Sequence, residues 1–272
     1  MSTTRSPSPK APATRPGAWR DATLLLVGLG SSRTDAPAAS FERHAQSLRE
    51  CGLFAGVRAG CILGDPPARG IFDRVETEEA YVVPLLMSEG PLARKAIPAL
   101  IRAATAQAGA AAPRFKQARP VGVDPEIAAL ALDRALGACA DAGLDPRATT
   151  LVLAAHGSTQ SGESRRATLR QIVLARRSAR FKAVAPAFLD EEPFVRNIVR
   201  DHAPPAVVAS LFAADGPHAM QDVPDALRGH AGFVDAGPVG IDPRIVGIVL
   251  ARIAACDRSS PRADATKATA RS

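Results

Sequence analysis

Two histidines stand beside glycines where they could work together. His156-Gly157-Ser158 follows the apolar run at residues 151–155, and Asp215-Gly216-Pro217-His218 follows another at 206–213. A third polar cluster, Asp190-Glu191-Glu192-Pro193, follows the run at 181–189. Imidazole titrates near neutrality and binds borderline divalent metals, so one group can hold a dication and later accept a proton. A carboxylate beside it can complete an open metal site or hold the ring in one tautomer. This makes His156 and His218 the candidate catalytic and metal-binding residues, with Asp190 and Glu192 as further metal ligands. Gly157 and Gly216 let a ligand approach the backbone. Ser158, Gly216, Arg165 and Arg166 are the candidate substrate contacts, the arginines as the cations nearest the strand end, placed to anchor an anionic ligand. Arg170, Arg176, Arg177, Arg180 and Lys182 follow in the same stretch and are read mainly as a solvated helix face. His44, in a helix, and His202 and His230, in loops, are read as structural.

For these groups to meet, their strands must end at one mouth. Short continuous apolar runs near 151–155, 181–189, 206–213 and 232–239 alternate with helical stretches at about 162–179, from 193, at 217–227 and at 245–255. Such runs predict parallel strands covered on both faces, with the ligand beyond their carboxyl ends. The same series occurs earlier in the chain. TLLLVGLGSS (23–32) matches TLVLAAHGST (150–159), VPLLMSEGPLARKAIPALI (83–101) matches ASLFAADGPHAMQDVPDAL (209–227), and RPVGVDPEIAALALDRA (119–135) matches GPVGIDPRIVGIVLARI (237–253). A repeat of about 125 residues is the size of a domain, so the chain reads as a duplication. The expected fold is α/β: two tandem lobes at 21–143 and 144–256, each a four-stranded parallel sheet flanked by helices. Residues 1–20 read as a disordered arm and 257–272 as a disordered tail, both too polar to recover the entropy of ordering. In the first lobe Leu29 and Leu92 stand where the second has its histidines, and the acidic loop reads Gly64-Asp65-Pro66-Pro67. That lobe cannot perform the same chemistry.

Composition narrows the partner. The 272 residues carry a formal net charge of +7, with one Trp and one Tyr. An anionic ligand is expected, but nucleic acid is a poor fit because base stacking needs aromatic side chains interleaved with the basic ones. Cys51, Cys61, Cys139 and Cys256 are scattered without a C-x-x-C pair, which suggests neither a disulfide framework nor a metal cage. No apolar run reaches the 18 or so residues of a membrane span, and the short run at 23–27 recurs at 150–154, so it reads as a core strand and not a secretion signal. A cytoplasmic protein, monomer or homodimer, is expected. A dinucleotide fingerprint fails at Arg33, which stands where the third glycine belongs, and no Gly-x-Ser-x-Gly elbow is present.

The motifs in combination resemble a known family, the class II tetrapyrrole chelatases of the CbiX/SirB type. The residues concerned are LVLAAHGS (151–158), FLDEEP (188–193), LFAADGPHAMQDVP (211–224) and VGIDP (239–243). The resemblance spans about residues 22–255. It implies two chelatase-like lobes facing a cleft and ATP-independent insertion of cobalt, iron or nickel into a sirohydrochlorin-type tetrapyrrole, in cobalamin or siroheme biosynthesis, with no permanently bound cofactor. His156 and His218 inherit the metal-binding and proton-accepting roles, and Asp190 or Glu192 the acidic position. The polycarboxylate macrocycle gives the positive charge a target. In the long forms of the family the histidine pair sits in the amino-terminal lobe, whereas here the carboxy-terminal lobe carries it. A noncatalytic relative that binds the tetrapyrrole or the metal is the alternative function.

Overall fold

The computed structural model describes residues 19–259. The first half runs β1 (Ala22–Gly30), α1 (Ala36–Glu50), β2 (Gly56–Leu63), α2 (Ala68–Phe72), β3 (Glu79–Leu85), α3 (Ile97–Ala108), β4 (Arg114–Gln117) and α4 (Glu126–Asp141). The second half repeats it as β5 (Thr150–Ala155), α5 (Glu163–Arg177), β6 (Ala183–Phe188), α6 (Ile198–Asp201), β7 (Ala206–Ser210), α7 (Val223–Leu227), β8 (Phe233–Pro238) and α8 (Ile245–Ser259). The two sheets have the orders β2-β1-β3-β4 and β6-β5-β7-β8, and every pairing is parallel. Equivalent registers recur: Leu25 lies opposite Val82, and Val152 opposite Val208. Two four-stranded parallel sheets are what the repeat predicts.

The central strands lack polar alternation because both of their faces are buried. Leu24 and Leu26 belong to a core shared by the lobes, while Leu25 and Val27 pack in an outer layer with Ile71, Phe72 and Ile97. Leu151 and Leu153 join the shared core, and Val152 and Ala154 join an outer layer with Val195, Ile198 and Val223. The last helix of each half crosses over. Helix α4 packs on β7, β8 and α5, while α8 packs on β3 and α1. The shared core therefore contains Ile127 and Leu130 of α4 together with Ile248, Val249 and Ile253 of α8.

Polar contacts between the halves repeat the same symmetry. His44 Nε2 donates to the Gly240 carbonyl at 2.7 Å, and Gln171, which occupies the position of His44 in the second copy, donates to the carbonyls of Gly122 and Asp124, each at 3.0 Å. Arg134 reaches the Ala236 carbonyl at 3.0 Å, and its counterpart Arg252 reaches Asp124 at 2.5 Å. Gly122 and Gly240 have to be glycine, since a Cβ on either would lie 2.1–2.4 Å from the backbone of Met87 or Ala213.

Of the expected disordered arm (1–20) and tail (257–272), residues 1–18 and 260–272 lie outside the described residues, and the inner ends belong to the folded structure. Trp19 is buried and stacks on Phe54 with ring centroids 5.4 Å apart. Its indole N–H donates to Asp257 at 2.9 Å, and Asp257, in the last turn of α8, also accepts from the Tyr81 hydroxyl at 2.5 Å. The helix expected to open at Pro193 begins only with a 3-10 turn at Val195–Asn197. Among the described residues no helix is long and apolar enough to cross a membrane.

Candidate functional site

A cleft of about 320 Å³ opens at the carboxyl ends of the two sheets. Leu29, Leu85 and Leu92 line it from the first lobe, and His156, Phe212 and His218 from the second. The leucines at the histidine-equivalent positions thus belong to the same cleft as the histidines themselves.

His156 leaves the end of β5, and His218 opens a π-helical turn (His218–Asp222) that leads into α7. A matching turn (Leu92–Ala96) precedes α3. Pro98 and Pro224 follow these turns and have no N–H to offer the carbonyl four residues back, so the ladder shifts to i→i−5 bonds just before them. The wide turn brings Asp222 to His218: the carboxylate accepts from Nδ1 at 2.6 Å. His156 Nδ1 lies 3.1 Å from Asp190 Oδ2 and 3.3 Å from the Gly157 carbonyl. All three partners are acceptors, so the proton of each neutral ring resides on Nδ1 and the lone pair on Nε2. The ring centroids are 5.0 Å apart with the planes at 86°. Both side chains are about half exposed. Two lone-pair donors this close, each backed by a carboxylate, can share a dication and can take up protons once it has gone.

A second carboxylate fixes the loop after β5. Glu191 accepts from the Ser158 amide at 3.1 Å and from Arg165 Nε at 2.7 Å. Arg165 also donates to the Glu192 carbonyl and stacks over Phe188, 4.9 Å from the ring centroid. Gly157 holds φ at +74°, and a Cβ there would meet Phe188 Cβ at 2.9 Å.

Of the predicted site residues, the structure brings together His156, His218 and Asp190, with Ser158 and Gly216 in the cleft lining. Asp190 is engaged with the Nδ1 edge of His156, and Glu192 is exposed. Among the described residues no group of three or more His, Cys, Asp or Glu side chains is arranged to hold a metal, so the expected set of four is not assembled as a cage. Arg165 braces the loop, and Arg166 pairs with Glu163 at 2.6 Å, pulling that carboxyl below its ordinary range. Neither arginine lines the cleft. Sequence reasoning passed over Asp222 and Glu191. The first could have been found from its i+4 spacing to His218; the second stands between two carboxylates that spacing does not tell apart.

Fold and site define a class: a duplicated α/β protein with a cleft walled on one side by leucine and on the other by carboxylate-oriented imidazoles. The chain belongs to the CbiX family, whose profile matches residues 23–138 and 150–256, one match to each half. A probable sirohydrochlorin cobaltochelatase of Halobacterium salinarum is 27% identical over 281 residues, covering 90% of this chain and 94% of that protein. Among solved structures, a CbiX described as the terminal enzyme for siroheme biosynthesis in denitrifying bacteria superposes with a TM-score of 0.67 at 27% identity, over 86% of this chain and 98% of that one. SirB from Bacillus subtilis with Fe3+ gives a TM-score of 0.71 over 86% of this chain and 95% of that one; at 17% identity it speaks to the fold alone.

Proposed function

We propose that the protein inserts a divalent metal, cobalt(II) foremost and iron(II) second, into sirohydrochlorin. The observation that carries this reading is the pair of carboxylate-backed imidazoles facing an apolar wall, on a fold whose Halobacterium relative is named a cobaltochelatase. The choice of cobalt rests on that name.

The metal is a substrate. Nε2 of His156 and His218 hold it in an incompletely filled coordination sphere, which leaves positions open for incoming macrocycle nitrogens. The leucine wall gives the flat ring an apolar surface and excludes water from one of its faces. Insertion exchanges one dication for two pyrrole protons. As the metal moves to the macrocycle the two Nε2 lone pairs come free, and each can take one proton. Asp190 and Asp222 stabilise the resulting imidazolium rings, and the half-exposed side chains return the protons to solvent. No step requires ATP or a permanently bound cofactor.

The test supplies purified protein anaerobically with sirohydrochlorin and, in parallel, cobalt(II), iron(II) or nickel(II), and follows the absorbance change of metal insertion. His156→Ala and His218→Ala should each lower kcat by about 10²-fold or more. Wild-type rates in both variants would refute the mechanism. Stoichiometric binding without turnover in the wild type would identify a carrier instead.

A further inference from the structure

At the rim of the cleft, charged side chains from both lobes form a chain. Arg119 donates to both oxygens of Glu89, at 2.8 and 3.2 Å. Arg94 lies 3.9 Å from Glu89 and 3.6 Å from Glu163, and Arg166 closes the chain on Glu163 at 2.6 Å. Three arginines share two carboxylates, so the rim holds surplus positive charge. Its place is fixed by the cleft lining: Glu89 stands between Ser88 and Gly90, and Glu163 beside Ser164.

Arg94 is held differently from the other two. All three side chains are about equally exposed, but Arg119 and Arg166 make short charge-assisted bonds, whereas both contacts of Arg94 exceed hydrogen-bond length. Exposed ion pairs of this kind contribute little, so redirecting Arg94 costs little. It lies two residues beyond Leu92, in the π-helical turn that corresponds to His218–Asp222. In the repeat, Leu92, Arg94 and Ala96 correspond to His218, Met220 and Asp222. The turn that lacks the imidazole and its carboxylate carries a cation where the other carries a thioether.

We propose that Arg94 is a binding residue for a peripheral carboxylate of the substrate: when a polycarboxylate macrocycle enters, the guanidinium leaves the bridge between Glu89 and Glu163 and pairs with the ligand. The two lobes then divide the work, the second handling the metal and the first one edge of the ring. This assignment rests on the function proposed above and adds a residue to it.

The experiment titrates metal-free sirohydrochlorin into the full-length protein by fluorescence at several salt concentrations, beside steady-state cobalt insertion. Arg94→Ala should weaken binding and raise KM by about tenfold, leave kcat unchanged and flatten the salt dependence, while Arg94→Lys recovers part of the loss. Glu163→Gln, which releases both Arg94 and Arg166 and removes a negative charge, should tighten binding, and the part of that gain due to Arg94 should disappear in the Glu163→Gln/Arg94→Ala double variant. Arg69→Ala, whose side chain projects from α2 into solvent, is the control for general charge. Equal affinity in wild type and Arg94→Ala overturns the assignment while leaving the chelatase reading intact. Failure of the wild type to bind the macrocycle overturns both.

Discussion

An imidazole serves as a ligand only when its lone pair faces the metal, and here a carboxylate decides that for each ring. For His218 the decision is made by Asp222 at 2.6 Å. Asp222→Ala should lower cobalt(II) affinity by about 10- to 100-fold in calorimetric titration, the range typical for loss of such an orienting partner. Asp222→Asn should fall between, because its amide oxygen still accepts from Nδ1 but carries no charge. An unchanged affinity in the alanine variant would show that His218 is oriented by something else. The histidines themselves were legible in the sequence, since each comes shortly after an apolar run and has a glycine within two residues. Their carboxylates were legible only in part: Asp190 follows a strand, but Asp222 sits on a helical turn whose width depends on a proline two residues further on.

Secondary-structure elements place those groups through backbone geometry that few side chains tolerate. Gly157 turns the chain out of β5 at φ +74°, against Phe188 and Glu191. Gly157→Ala should cost about 1–3 kcal/mol of stability, seen as a lowered midpoint in thermal or urea unfolding, and should disturb His156 as well. A melting curve matching the wild type would mean that the loop can relax. The strands could be read from the sequence because parallel strands buried on both faces leave unbroken apolar runs such as Leu24 to Val27. Short elements were harder: α6 has four residues, too few for a helical period to register. The crossing of α4 and α8 was not legible at all. An apolar helix face is the same sequence pattern whether it packs on its own sheet or on its neighbour's.

Across the whole molecule, the His44 and Gln171 latches give a pH dependence with a definite sign. Burial pushes the His44 imidazole below its ordinary value of 6.5, against the opposing pull of the Gly240 carbonyl. Between the lowered value and 6.5 the unfolded chain binds a proton that the folded one does not. This contribution to stability is therefore complete above about pH 6.5 and is lost as pH falls through the folded value. Burial lowers His202 in the same direction. The second copy already shows how the contact is made without a titrating group. His44→Gln should keep the bond to Gly240 and lose less melting temperature than the wild type between pH 7.5 and 5; identical losses would remove His44 from the account. The crossed helices carry a consequence for what this chain can become. With α4 seated on the second sheet and α8 on the first, each half finishes its partner and neither finishes itself. A break in the connector at 142–149 should yield two pieces that are insoluble when made apart and that reassemble when made together. The duplication is thus no longer a pair of modules that recombination could separate or shuffle, and changes in one half must be accommodated by the other.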